Sequence, residues 1–208
     1  MIALDHVILG SPDLEATARR LEAGHRLPSL PGGRHAGLGT ENRIVALGEA
    51  YVELMGVADR AEAEANPLGR RVLEATAEGE AFLAWCVRTD DLDAVCARLD
   101  LAALPMSRAR PDGFELHWRL AGLDRAFAEP SLPFFIQWDA PEDEHPGRAG
   151  GANQAAGARI AAVDVGADEA ALREWVGEPV PAVRVIDGLP GVRSVTVAGS
   201  GGIEVLRP

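Results

Sequence analysis

An internal repeat constrains the fold of this chain more than any other feature. The segment DLEATARRL at residues 13–21 returns as DLDAVCARL at residues 91–99, with Asp, Leu, Ala, Arg and Leu coinciding at an offset of 78 residues. An apolar, strand-like run precedes each copy, at residues 2–9 and 81–88. The repeat therefore predicts two copies of one unit that begins with a strand followed by a helix.

Local signals place the ends of these two helices. Ser11 and Thr89 suit the N-cap position, Pro12 the first helical position, and Asp13 the acidic first turn. Gly24 is expected to end the first helix.

Further strands complete each unit. In the first unit, residues 42–47 and 50–56 (AYVELMG) form a predicted hairpin, with a poorly marked strand near residues 35–39. In the second, residues 113–120 (GFELHWRL) and 132–139 (LPFFIQWD) alternate apolar and polar side chains. Each unit thus reads β-α-β-β-β, and the predicted fold class is α+β.

The units also set the domain boundaries. Residues 1–140 hold the paired units, at about 1–57 and 81–139, and residues 158–208 hold a third, weaker copy in which GIEVL echoes YVEL. Residues 59–80 are polar and Ala-rich, which predicts a helical link. The segment 142–157 is acidic and then rich in Gly and Ala, and it is predicted to be a flexible connection.

Charge and composition exclude several functions. The net charge of -12 argues against binding nucleic acid or an anionic membrane. The chain has no lysine, which excludes Schiff-base chemistry and a P-loop. There is no apolar run of about 18 residues and no signal-peptide pattern, so we expect a cytoplasmic protein. Reduced, unpaired Cys86 and Cys96 fit that expectation.

Two polar side chains stand inside apolar strands. Strand alternation predicts that His6 shares a face with Leu4 and Ile8, and that Glu53 shares a face with Tyr51 and Met55. One interpretation is a satisfied polar pair in a cleft. The other is a binding or metal site, because a divalent cation accepts such N and O ligands.

Three segments resemble the glyoxalase-like domain branch of the vicinal oxygen chelate superfamily: LDHVILGSPDLEAT (residues 4–17), GLGTENRIVALGEAYVELMGV (37–57) and FFIQWD (134–139). The resemblance implies a curved mixed sheet with a concave site, helices on its outer face, and often one divalent metal ion (Zn, Ni, Fe or Mn). It implies His6, Glu53 and Gln137 as metal ligands. The fourth position falls on Ala84, which cannot bind a metal, so the alternative is a site without metal.

The resemblance implies a small oxygenated metabolite as substrate, and isomerase, lyase or ring-opening chemistry. One of Glu204, Glu115 or His117 would be the catalytic base, while Arg119 and Phe135 would bind substrate, with Arg119 holding a carboxylate or phosphate bidentately. The alternative is a metal-free protein that sequesters a small molecule in the same fold. Relatives often form homodimers, but here the third unit could replace the second subunit.

Overall fold

The computed structural model describes residues 1–35, 37–109, 113–149 and 151–208. The first unit contains five elements: β1 Ile2–Gly10, α1 Leu14–His25, β2 Leu30–His35, β3 Thr40–Leu47 and β4 Ala50–Val57. The poorly marked strand is thus β2, which lies earlier in the chain than predicted.

The second unit follows a helical link, as predicted. The link is α2 Arg60–Ala65 and α3 Pro67–Ala75. The unit itself contains β5 Ala81–Thr89, α4 Leu92–Leu99, β6 Leu104–Ala109, β7 Glu115–Ala121, α5 Leu123–Ala128 and β8 Phe134–Trp138. The sequence patterns missed β6 and α5.

The third unit is preceded by two 3-10 turns, Glu142–Glu144 and Pro146–Arg148, and by α6 Ala152–Ala155. It contains β9 Arg159–Gly166, α7 Glu169–Val176, β10 Val183–Ile186, β11 Gly191–Gly199 and β12 Gly202–Leu206. No helix in the described part of the chain is long and apolar enough to cross a membrane.

The caps of both repeated helices differ from the prediction by two residues. Asp13 accepts a hydrogen bond from the backbone N–H of Ala16 at 2.9 Å, and Asp91 caps α4 in the same way. Ser11 is instead buried, where its hydroxyl pairs with Thr17 at 2.8 Å. Helix α1 ends at Arg26, which takes the left-handed conformation, and so extends beyond Gly24.

Eight strands form one mixed sheet in the order β2-β3-β4-β1-β5-β8-β7-β6. The two units meet where β1 and β5 pair antiparallel, while β4 and β8 run parallel to β1 and β5 respectively. The sheet curves until its two ends approach each other, since Arg108 of β6 donates to the side-chain oxygen of Asn42 in β3 at 3.0 Å. This architecture confirms the predicted α+β fold with a curved mixed sheet.

The main core lies on the convex face of this sheet. There α1, α4 and a second sheet, in the order β10-β9-β11-β12, cover it. The core includes Val7, Leu9, Trp85, Val87, Phe135, Val163, Val195 and Leu206. The third unit therefore packs behind the eight-stranded sheet and does not extend it, which leaves the concave face for a site.

Candidate functional site

The concave face encloses a cavity of about 310 Å³. Its walls are mostly apolar side chains from both units and from the ends of α3 and α5: Ile8, Leu38, Ile44, Tyr51, Met55, Pro67, Leu68, Leu104, Met106, Trp118, Leu120, Leu123, Phe127, Phe134 and Ile136. Two polar side chains, Asn66 and Asp124 at the starts of α3 and α5, also line the cavity. A further polar group interrupts the wall, made of His6, His35, Asn42, Glu53 and Arg108. We call these five residues the polar end.

A β-bulge in β1 builds the centre of the polar end. The pairing with β5 runs from Leu4 opposite Val87 directly to His6 opposite Cys86, so Asp5 is an extra residue. The bulge reverses the alternation. Leu4 therefore lies in the convex core, on the opposite face from His6. The simple strand pattern had predicted that the two residues share a face.

Asp5 is fully buried and accepts three N–H groups. The donors are His6 Nδ1 at 2.6 Å, Trp138 Nε1 at 2.9 Å and His145 Nε2 at 3.0 Å. His145 Nδ1 accepts from the backbone N–H of Gly147, which leaves its Nε2 as the donor. Burial raises the pKa of Asp5, but the hydrogen bonds from the two histidines outweigh it and hold the pKa well below its usual range. Asp5 is therefore an anion at neutral pH.

His6 is held by this anion in one orientation. Because the Asp5 carboxylate can only accept, His6 donates through Nδ1 and presents Nε2 to the other side. Nε2 lies 3.6 Å from Oε2 of Glu53, and the ring stacks on Tyr51 with centroids 4.6 Å apart. The edge of Phe134 packs against it at 5.4 Å.

Glu53 is held in place by Asn42, whose amide nitrogen donates to Oε1 at 2.5 Å. The amide oxygen of Asn42 accepts from the backbone of Gly33 at 2.8 Å and from Arg108 at 3.0 Å, which fixes the direction of the amide. His35 Nε2 lies 3.8 Å from the same carboxylate oxygen. Glu53 thus faces imidazoles on both sides.

Burial also sets the protonation of the neighbouring groups. It lowers the pKa of His35, aided by Arg108 and opposed by Glu53, so this imidazole is neutral at neutral pH. Burial raises the pKa of Tyr51 well above its ordinary value, and the anions of Asp5 and Glu53 raise it further. The Tyr51 phenol is therefore protonated.

The structure places Gln137 on the other side of the sheet from His6. Its side-chain oxygen accepts from the backbone of Leu92 at 3.1 Å and from Arg119 at 2.7 Å, and its nitrogen donates to the carbonyl of Asp90 at 3.0 Å. Gln137 therefore holds the start of α4. It does not join His6 and Glu53, and Arg119 is occupied there by Asp93 at 2.7 Å.

The other predicted site residues also lie outside the cavity. Phe135 is fully buried in the convex core, 5.8 Å from the Trp175 ring, because strand alternation turns it away from Phe134. Glu204 of β12 pairs with His25 at 3.0 Å. Glu115 and His117 lie 3.7 Å apart, with side chains 56% and 52% exposed.

The acidic segment after β8 contributes a residue that the sequence patterns missed. His145 is buried beneath Asp5, and Gly48 donates its backbone N–H to Gly147 at 2.8 Å. The prediction of a flexible connection is therefore wrong for residues 142–149.

The symmetry of the two units decides whether a metal ion fits. Ile8 lies beside Glu53, and Cys86, the counterpart of Ile8 at the repeat offset, lies beside Phe134. Phe134 is therefore the counterpart of Glu53, as Ala84 is of His6. Neither position of the second unit offers a metal ligand.

The remaining donors do not complete a set. Among the described residues, Asp5, His6 and Cys86 are the one trio of His, Cys, Asp or Glu donors close enough together for a metal ion. Asp5 is already engaged by three N–H donors, and burial raises the pKa of the Cys86 thiol well above its ordinary value. That leaves His6 and Glu53, because His35 lies 3.8 Å from Glu53 but does not come close enough to His6 for the three to form a ligand trio among the described residues. Catalytic zinc sites have three protein ligands. The residues present do not fit a resident metal ion.

Comparisons with known proteins identify the family. A family model described as a glyoxalase-like domain matches residues 4–179. The chain belongs to the glyoxalase-like domain family. This confirms the resemblance to the vicinal oxygen chelate superfamily.

Solved structures with similar folds include a hypothetical protein from Staphylococcus aureus, which is 17% identical with a TM-score of 0.70 over 100% of both chains. They also include methylmalonyl-CoA epimerase from Mycobacterium tuberculosis, which is 19% identical with a TM-score of 0.45 over 67% of this chain and 89% of that one. The Streptomyces coelicolor epimerase is 16% identical with a TM-score of 0.46 over 65% and 95%. No curated protein matches the sequence. At these identities, the first comparison establishes a shared fold only.

Proposed function

We propose that this glyoxalase-like protein binds a small molecule in the concave cavity and transfers a proton on it through His6, without a metal ion. One observation carries the proposal. His6 is fixed by the buried anion of Asp5 and presents Nε2 opposite Glu53, 3.6 Å away. A cavity that only held an apolar ligand would need no such arrangement.

The proton chemistry follows from these contacts. His6 Nε2 is the ring atom that can take up a proton from a ligand, and Asp5 stabilises the imidazolium that forms. Glu53, on the other side of Nε2, can take that proton from the imidazolium and return it to the ligand at a second position. Moving the proton from one atom to another isomerises the ligand, and if the atom that receives the proton belongs to a leaving group, its bond to the ligand breaks and the reaction is a lyase elimination.

The shape of the cavity limits the ligand. A volume of about 310 Å³ suits a small molecule, and the apolar walls favour a hydrocarbon or aromatic body. The polar end would then take an oxygenated head group. The ligand is thus a small metabolite with one apolar part and one polar part.

A sequestering protein is the second candidate, because the second unit contributes only apolar groups at its two counterpart positions, Ala84 and Phe134. In that case His6 and Glu53 would only bind the head group. We also propose a cytoplasmic location, which the free thiols of Cys86 and Cys96 support. The expected homodimer stays a prediction.

Proton exchange in deuterium oxide tests the proposal. Small carbonyl compounds with an apolar body would be incubated with the protein, and NMR would follow deuterium entering the carbon beside the carbonyl group. We expect exchange with the wild type, before and after treatment with a chelator, and loss of exchange in His6→Gln and Glu53→Gln. His117→Gln, at an exposed position, is the matched control and should exchange normally.

Two outcomes would contradict the proposal. If the chelator abolished exchange and a divalent ion restored it, the metal-dependent alternative would be correct. If compounds bound but never exchanged, the sequestering function would be correct. Elemental analysis of the wild type, His6→Ala and Glu53→Ala would independently show whether an ion is retained.

A further inference from the structure

Arg108 is the one Lys or Arg side chain among the described residues that line the cavity. It lies on β6, is partly buried, and reaches across the gap between the ends of the curved sheet to Asn42. The resemblance implied that Arg119 holds a carboxylate or phosphate of the substrate, but Arg119 lies outside the cavity and is paired with Asp93.

The charge of Arg108 is not neutralised by its contact in the cavity. Its Nη1 donates to the side-chain oxygen of Asn42, which is a neutral acceptor. No carboxylate of the described residues lies within ion-pair distance of Arg108, including Glu53. A guanidinium has five N–H donors, and the described residues use one of those of Arg108, so an anionic ligand could accept hydrogen bonds from others.

Arg108 also stands next to the proton-transfer groups. The amide of Asn42 separates it from Glu53, since the oxygen of that amide accepts from Arg108 and its nitrogen donates to Glu53. An anionic group bound by Arg108 would therefore hold the head of a ligand beside Glu53 and His6. The apolar walls would receive the rest of the molecule.

We propose that Arg108 binds the carboxylate of the substrate, so that the substrates are small organic acids with an apolar body. This inference rests on the proposed function, because it requires that the cavity is the substrate site. It assigns Arg108 as the residue that selects acids over neutral molecules of the same shape.

Calorimetry with one matched pair of probes tests the inference. The acid 3-phenylpropanoate and the neutral 3-phenylpropanamide have nearly the same shape and differ in charge. A charge-assisted pair of hydrogen bonds predicts that the wild type binds the acid about tenfold to a hundredfold more tightly than the amide. Arg108→Gln should remove this preference by weakening the acid much more than the amide, while Arg108→Lys should keep part of it. Arg119→Gln is the control and should bind both probes like the wild type.

The possible results separate the two proposals. Equal binding of acid and amide, or a preference that survives in Arg108→Gln, would overturn the role of Arg108. If the amide still bound, and lost its binding in the cavity-filling variant Leu120→Trp, the cavity would remain the ligand site. If neither probe bound at millimolar concentration, the cavity would not be a site for such molecules, and both proposals would be overturned. Circular dichroism of each variant would establish that it is folded.

Discussion

Replacing Asp5 by Asn should destabilise the protein far more than a change of one atom suggests. The side chain is fully buried and accepts N–H groups from His6, Trp138 and His145. Asn offers one oxygen and turns an amide N–H₂ group toward at least one of these donors. Two donors would then face each other in a place that water cannot reach.

The magnitude follows from the loss of a buried, charge-assisted network. Hydrogen bonds to a charged group contribute about 1.5–3 kcal/mol each. Breaking a buried ionic group by changing one partner costs about 3–5 kcal/mol. We therefore expect Asp5→Asn to lower the free energy of unfolding by about 3–5 kcal/mol, a large part of the 5–15 kcal/mol typical of a domain.

Urea unfolding, followed by circular dichroism at neutral pH, measures this loss. Asp93→Asn is the matched control, because Asp93 pairs with Arg119 through a side chain that is 75% exposed. The control should change the unfolding free energy by less than about 1 kcal/mol. A loss below about 1 kcal/mol for Asp5→Asn would refute the conclusion that Asp5 is the anion holding His6 and His145.

The same variant should change the response to acid. The folded pKa of Asp5 is depressed, so its contribution to stability is fully present above the unfolded value of about 3.9. It is lost as the pH falls through the folded pKa. The unfolding free energy of Asp5→Asn should therefore decrease less than that of the wild type as the pH is lowered from neutral. Urea titrations of both proteins at a series of pH values would measure this difference.

Two further variants and one labelling experiment test the packing. Gly32→Ala would place a Cβ 1.9 Å from the side-chain oxygen and 2.7 Å from the backbone oxygen of Asn42, so calorimetry should show weaker ligand binding and urea titration a lower unfolding free energy. Phe135→Ala should lower the unfolding free energy by about 3–5 kcal/mol in urea titrations, because the ring is fully buried. A thiol reagent should modify partly exposed Cys96 in the native protein and reach buried Cys86 only on unfolding, as mass spectrometry of the peptides would show.

The strand pattern and the repeat predicted the first strand and helix of each unit and the strands that contain His6 and Glu53. Alternation correctly placed Glu53 with Tyr51 and Met55, and the cavity contains both His6 and Glu53. These features follow from local periodicity, which a single sequence displays directly. The alternation of FFIQWD also turns Gln137 away from Phe134 and Ile136, so the sequence itself contained the reason why Gln137 could not join the cavity.

Other parts of the site depend on long-range geometry that no local pattern reveals. A bulge has no simple sequence signature, so the strand pattern did not show that Asp5 and His6 would both serve the site. His145 contacts Asp5 across 140 residues of sequence, and it lies in a segment whose composition predicted a flexible connection. Arg108 lies on a strand that the patterns missed, and it reaches Asn42 only because the ends of the sheet meet.

The two units supply different kinds of side chain at equivalent positions of the site. The first unit supplies His6 and Glu53, while the second places Ala84 and Phe134 at the counterpart positions. With two of four positions apolar, the centre cannot surround an ion, but it gains a wall against which a hydrocarbon body can pack. The second unit supplies Arg108 from its outermost strand, and this side chain lies near Glu53 of the first unit. Such a division favours a ligand that is apolar along one side and anionic at one end.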